Sequence, residues 1–277
     1  MNIPKRRLGK TGVDVTIFGL GGEGILRTFG HEKEAYQLIN RALDLGINYV
    51  ESARAYSGSE AYYGLALKQR RKDVFLTSKS HARDSQGAME HLKDTLRNMK
   101  TDYLDLWQVH DVRTDDDIDE IFGKGGAIEA FSHAKEKGLA RCIGVTGHQD
   151  PRILKKCIEL FDFDTVLMPV NPAEPSYKSF IDGVMPFAKK KQMGIIGMKV
   201  YFRGLAARFT QFSSLEPFYR FALSQDITTA VIGCDTAAHV EENIRFAETF
   251  LPMDIQEKDF LVASLQPYAR QLLYYKK

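Results

Sequence analysis

Cysteine is scarce in this sequence: Cys142, Cys157 and Cys234 are the three present, far apart and without CxxC spacing. That pattern argues against a disulfide framework or an iron–sulfur cluster and fits buried thiols in a reducing compartment. No apolar run is long enough to span a bilayer, and the opening MNIPKRRLGK lacks a signal-peptide core. A cytoplasmic protein without membrane contact is the expectation. Net charge is +2 with no basic tail or dense Lys/Arg block, so nucleic acid is not an expected partner. No Pro/Ser linker or low-complexity tract divides the chain, and residues 1–277 read as one domain.

What is present is an alternation. Gly9-Lys10 and Thr11-Gly12 are turn signals between short β-prone stretches, so residues 5–16 read as an N-terminal β-hairpin. Short apolar strands follow at 17–20, 47–50, 74–77, 103–109, 142–145, 165–168, 195–198 and 229–232. Between them lie helical stripes such as Ala35, Leu38, Ile39 and Ala42, or Met89, Leu92, Leu96 and Met99. Residues 180–191 read as mostly helical, with Pro186 starting or kinking a turn. A last helix is expected over about 255–274. Strands that are continuous apolar runs suit a parallel sheet covered on its outer face. Eight such units predict a (β/α)8 TIM barrel with an N-terminal hairpin and an extra C-terminal helix.

In such barrels the chemistry sits where strands end. The stretch INYVESARAYSGSE, residues 47–60, ends a strand on Glu51 and displays Tyr56 in the next loop; Lys79 and His110 end the two strands after it. Taken singly, each has an ordinary reading: a packed or surface tyrosine, a solvated lysine, a satisfied histidine, a loop acid. Their shared position at successive strand ends points instead to one mouth. A tyrosine hydroxyl there can protonate a carbonyl oxygen while hydride reaches carbon, helped by a cation that an acid holds in place. A histidine beside the carbonyl can orient the substrate.

From Arg7 to Asn243 the sequence resembles the aldo-keto reductase superfamily, through RRLGKTGVDVTIFGLGG, INYVESARAYSGSE, LTSKS, DYLDLWQVHD, GLARCIGVTGH, GIIGMKV and VIGCDTAAHVEENI. The resemblance implies the (β/α)8 barrel, a nicotinamide cofactor, and a tetrad on Glu51, Tyr56, Lys79 and His110. Tyr56 would be the general acid, Lys79 its pKa-lowering partner and His110 the substrate-orienting group. Glu51 stands where the family has Asp. Thr146-Gly147 replaces the Ser-Asn that binds the nicotinamide carboxamide, and Leu167 replaces a glutamine; Asn171 or His148 would have to rebuild that clamp. Gly21 and Gly22 would admit the cofactor backbone-close, and Lys199, Val200 and Arg203 would flank its pyrophosphate. Gly233, Cys234, Asp235 and Thr236 lead into a helix start suited to an anion, with Thr236 or Asp235 as its cap. Glu242 and Asn243 match the adenine-binding pair. His239 falls where the family keeps a 2'-phosphate arginine and Asp235 adds negative charge, so NADP(H) and NAD(H) both stay open.

The function read from this is reduction of an aldehyde or ketone to an alcohol. Its partner would be a small carbonyl compound, and the chain a monomer or weak homo-oligomer. The loops 24–30 and 168–177, with Tyr201, Phe202 and the last residues, are expected to shape an apolar substrate pocket. One alternative is a dinucleotide-binding regulatory protein with attenuated catalysis. Another is a Schiff-base lyase using Lys79 or Lys199. The acid run Asp115, Asp116, Asp117, Asp119 and Glu120 reads as a solvated helix start, where acids suit the dipole, and no metal is expected.

Overall fold

The computed structural model describes residues 3–276; Met1, Asn2 and Lys277, at the ends of the expected 1–277 domain, lie outside the described residues. It opens with an antiparallel hairpin, β1 (Lys5–Arg7) and β2 (Asp14–Thr16), registered Lys5 to Thr16 and Arg7 to Asp14. The alternation then runs β3 (Phe18–Gly24), α1 (Glu32–Asp44), β4 (Tyr49–Glu51), α2 (Ser59–Ala66), β5 (Phe75–Ser80) and α3 (Ser85–Met99). Next come β6 (Leu104–Val109), α4 (Asp115–Phe122), α5 (Ala127–Glu136), β7 (Ala140–Thr146), α6 (Pro151–Leu160) and β8 (Thr165–Pro169). The chain continues through α7 (Phe180–Gly183), α8 (Met185–Lys190), β9 (Gly194–Met198), α9 (Glu216–Leu223), β10 (Thr229–Cys234), α10 (Ala237–Glu248), α11 (Ile255–Leu265) and α12 (Ala269–Leu272). Strands β3 to β10 close into a barrel, with β10 pairing back onto β3, and their pairings are parallel.

Two apolar layers hold this closure. Inside the barrel, Tyr49, Phe75, Leu106, Cys142, Leu167, Ile196 and Val231 meet one another, and Leu8 and Val15 from the hairpin region join them. The Tyr49 ring stacks on Phe75 with centroids 5.8 Å apart. Gly19 makes room for it, since a Cβ there would lie 2.6 Å from Tyr49 Cδ1. Outside, helix stripes such as Ala35, Leu38, Ile39, Ala42 and Leu43 of α1 are buried against the sheet, and Trp107 of β6 stacks on Phe131 of α5 at 3.7 Å. Each large apolar side chain buried this way is worth about 1.5–3 kcal/mol.

All eight barrel strands fall where the apolar runs place them, with shifted ends. The strand expected at 17–20 extends to Gly24 because β10 supplies its ladder partners, Ala230 to Phe18 through Cys234 to Gly24. The helix expected over 180–191 is two pieces: Val184 leaves helical geometry (φ −120°, ψ −45°), and Pro186 sits in the first turn of α8. The last helix ends at Leu265, not near 274, because Pro267 has no N–H to continue the ladder; a 3-10 turn and the short α12 follow. The acid run does start a helix, α4, where Thr114 and Asp117 form a capping box. No helix among the described residues is long and apolar enough to cross a membrane.

Candidate active site

Parallel pairing sets the depth of each strand end. Glu51 registers with Thr77 and Lys79 with Gln108, which brings Glu51 and Lys79 side by side within the sheet. Both are buried, Glu51 4% and Lys79 1% exposed. Lys79 Nζ donates to Glu51 Oε1 at 2.7 Å and to the Ser52 carbonyl at 2.8 Å. Glu51 Oε2 accepts weaker bonds, each at 3.4 Å, from Tyr49 OH and Gln108 Nε2. The longer acid therefore reaches Lys79 and braces against the barrel interior at the same time.

Tyr56 sits in the loop after β4, its N–H bonded to the Ala53 carbonyl at 2.9 Å. Its ring meets His110 edge-on at 6.2 Å and has Lys79 Nζ 5.3 Å from its centroid. Of the four expected residues, His110 and Lys79 thus neighbour the ring of the third, Tyr56, and the fourth, Glu51, holds the lysine. The phenol is pushed well above its ordinary range, first by burial and then by the charges of Glu23 and Glu51, while Arg27 and Arg203 oppose the shift. Lys79 Nζ, bonded to Glu51, stands beside the same ring as these two arginines. His110 is pushed well below its ordinary value, first by burial and next by Lys79, which keeps it neutral. Its buried Nδ1 has no partner among the described residues, and neither has Gln108 Oε1.

The rim of the mouth carries charges that the sequence pattern did not single out. Glu23, in β3, accepts from Arg27 Nη1 at 2.7 Å and lies 3.6 Å from Arg203 Nε. Lys199, Phe202 and Arg203 take left-handed backbone at φ +60°, +51° and +55°. Tyr201 and Phe202, expected to line a pocket, are instead core. Tyr201 OH donates to Asn243 Oδ1 at 2.6 Å, and Phe202 packs edge-on against Phe218. Lys199 is lowered from its ordinary value, chiefly by burial, and Arg203 is raised, chiefly by Glu23.

The remaining expected contacts divide. Thr146 Oγ1 accepts from Asp111 N at 3.0 Å, and Gly147 N bonds weakly to the Leu167 carbonyl. Leu167 itself is barrel core. Asn171, one proposed carboxamide ligand, is already engaged: its amide donates to Tyr275 OH at 3.0 Å and to the Lys199 carbonyl, and its oxygen accepts from Ala173 N. His148, the other, has Nδ1 3.3 Å from Asp111 Oδ1 and meets Tyr275 edge-on at 6.0 Å. Burial leads in pushing it down to about 4. Gly21 and Gly22 are buried, a Cβ at Gly21 coming within 3.1 Å of Val231 and one at Gly22 within 2.3 Å of Ser59 Oγ and 2.8 Å of the Glu51 carbonyl. Val200 and Cys234 are buried apolar side chains. Thr236 caps α10 by accepting from His239 N at 3.2 Å. Gly233, Asp235 and His239 are exposed beside it. Asn243 is buried and doubly bonded, to Tyr201 and to the His239 carbonyl at 2.7 Å, while Glu242 stays partly exposed.

A dinucleotide fits this donor set on its charge: Lys199 and Arg203 at the rim, and the N–H groups that any helix start leaves unpaired at α10. Two shallow clefts elsewhere, of about 440 Å³ beside Gly123–Gly126 and about 500 Å³ beside Gly9 and Thr228, carry none of these residues. Glu23, Arg27 and Asp111 escaped the sequence reading. The i,i+4 spacing of Glu23 and Arg27 was the available signal.

Comparison with known proteins agrees with this geometry. The model described as "Aldo/keto reductase family" matches residues 17–214. An uncharacterized oxidoreductase of Bacillus subtilis is 28% identical, the match covering 73% of this chain and 66% of that protein. The chain thus spans just under two thirds of that relative's length. An aldo-keto reductase of Bacillus halodurans in its holo form superposes with a TM-score of 0.80 at 24% identity, covering 95% of this chain and 96% of that one. One from Klebsiella pneumoniae, solved in complex with NADPH, gives a TM-score of 0.77 at 18% identity over 96% of each chain.

Proposed function

Since the chain belongs to the aldo/keto reductase family, we propose that it reduces an aldehyde or ketone to the alcohol, with Tyr56 as general acid and NADP(H) or NAD(H) as cofactor. The observation that carries this is the convergence of Tyr56, His110 and the Lys79–Glu51 pair on one barrel mouth. The NADPH complex of the Klebsiella pneumoniae protein supports the cofactor class. When bound, the nicotinamide supplies hydride to the carbonyl carbon.

The chain's own residues do the rest. Tyr56, kept protonated by burial, delivers its proton to the carbonyl oxygen. The Lys79–Glu51 pair fixes a cation against the ring as the phenolate charge forms. Neutral His110, with its neighbouring ring edge-on, orients the carbonyl oxygen. Lys199, Arg203, Gly233, Asp235, Thr236 and Glu242 hold the dinucleotide, and His239 and Asp235 decide whether a 2'-phosphate is accepted. Residues 1–277 act as one domain, a reading supported by barrel closure between β10 and β3. Three free cysteines suit a reducing cytoplasm.

The test is turnover of an aldehyde and ketone panel with NADPH and NADH separately, in the parent and Tyr56→Phe. General acid loss predicts a drop on the order of 10²–10⁴ in kcat. Undiminished turnover in Tyr56→Phe would remove Tyr56 from its role. Tight dinucleotide binding without turnover anywhere in the panel would favour the regulatory alternative, to which the missing carboxamide ligands at Thr146, Leu167 and Asn171 lend weight.

A further inference from the structure

The Tyr56 ring has a second cation. Arg27 Cζ lies 4.9 Å from the ring centroid, slightly nearer than Lys79 Nζ at 5.3 Å. The two differ in what binds them. Lys79 is buried and bonded to Glu51 and Ser52 O, whereas Arg27 is partly exposed and held at its guanidinium by Glu23. Its backbone is tied to the tyrosine's own loop: the Arg27 carbonyl accepts from Gly58 N and from Ser57 Oγ, both at 3.2 Å. One residue on, the Thr28 carbonyl accepts from Tyr62 OH of α2 at 2.7 Å. The segment bearing Arg27 is therefore stapled to residues that directly follow Tyr56, which fixes the guanidinium over the ring.

We propose that Arg27, steered by Glu23, is a positioning residue that stabilises the Tyr56 phenolate, a task that Lys79 shares but does not carry alone. The inference rests on the general-acid reading of Tyr56. The charged or titratable groups facing that tyrosine are Glu23 from β3, Arg27 after it, Glu51 from β4, Lys79 from β5, His110 after β6 and Arg203 after β9. Of these, Arg27 and Arg203 favour the phenolate while Glu23 and Glu51 oppose it, so removing Arg27 and removing Glu23 must act in opposite directions.

Alcohol oxidation is the direction to measure, because there the phenolate is the base and the rate rises with pH as it forms. The rising limb should be absent in Tyr56→Phe. Arg27→Met should move it to higher pH and cut the rate at neutral pH on the order of threefold, the scale of a partly exposed charge contact. Glu23→Gln should move it to lower pH, and Arg27→Lys should restore most of the parent profile. Limbs that stay put in both variants, or move the same way, overturn the proposal while leaving Tyr56 as the acid. A parent without turnover, or a Tyr56→Phe enzyme that keeps the limb, overturns the Tyr56 reading and this one with it.

Discussion

Replacing Lys276 by Met should unfasten the segment that closes the chain over the barrel mouth. Lys276 Nζ has three acceptors, Glu174 Oε2 at 2.6 Å, the Lys178 carbonyl at 2.8 Å and the Tyr177 carbonyl at 3.0 Å. The Glu174–Lys276 side chains are 0% exposed. Each is pushed toward its neutral form by burial, Glu174 up and Lys276 down, against their mutual attraction. Removing the cation leaves Glu174 with Tyr275 OH and Phe180 N as donors, and leaves two backbone carbonyls without theirs. Breaking a buried pair from one side costs about 3–5 kcal/mol. At about 2–3 °C per kcal/mol for a chain of this size, Tm should fall by roughly 6–15 °C. The sign with pH follows from Glu174. Its folded-state pKa, already raised, rises further without Lys276. The penalty is therefore full above that value and shrinks as pH falls toward the unfolded carboxylate value of about 4.3. Apolar replacement of both partners, Glu174→Leu with Lys276→Met, should recover much of the loss. Thermal melts at several pH values, with hydrogen exchange over residues 269–276, read this out. A Lys276→Met protein that melts within about 2 °C of the parent with unchanged exchange would refute the reasoning, as would a double variant no more stable than the single.

Glu51→Asp, which restores the family's residue, should lower both kcat and Tm. The shorter acid gives up the 2.7 Å contact to Lys79 or its reach toward Gln108, and a charge-assisted bond of this kind is worth about 1.5–3 kcal/mol. A gain in kcat would show that the site is built for Asp. His148, pushed from an ordinary 6.5 to about 4 by burial, binds its proton in the unfolded chain before the folded one. Stability should accordingly fall on acidification between those values, by on the order of 3 kcal/mol for this residue, and His148→Gln should flatten the pH dependence of Tm across that window.

The barrel was legible because each strand is a short buried run, such as LDLWQV in β6, followed directly by His110, or FLTSKS in β5, which ends on polar residues. The period of the helices and the residue types at the strand ends then located Glu51, Lys79 and His110 without coordinates. What stayed hidden depends on the path of the chain between elements. FGLGGEG has little strand propensity, and only the β10 ladder makes it extended as far as Gly24. Tyr201 and Phe202 read as pocket residues because they follow a strand, yet left-handed turns at Lys199, Phe202 and Arg203 place both aromatic rings in the core. The partners of Asn171 come from Tyr275, 104 positions away, which no local pattern announces.

The glutamate at position 51 makes its own set of contacts at the mouth. Deep in the barrel, Lys79 pairs with Glu51, the ammonium takes a backbone carbonyl as well, and the second carboxylate oxygen leans on Tyr49 and Gln108. The pair anchors geometry, and its charges still reach their neighbours: Glu51 helps raise Tyr56 and Lys79 helps lower His110. Further charges act on Tyr56 from higher up, where solvent lowers the cost of leaving them incompletely paired. Arg27 and Arg203 share one carboxylate, Glu23, so the rim retains an excess of positive charge. Asp111, the other rim acid, is spent on Arg113 and His148. Under the proposed function, an excess of that sign suits a developing phenolate and an incoming dinucleotide; it lies on loops after β3 and β9, apart from the strand ends that carry Glu51, Lys79 and His110.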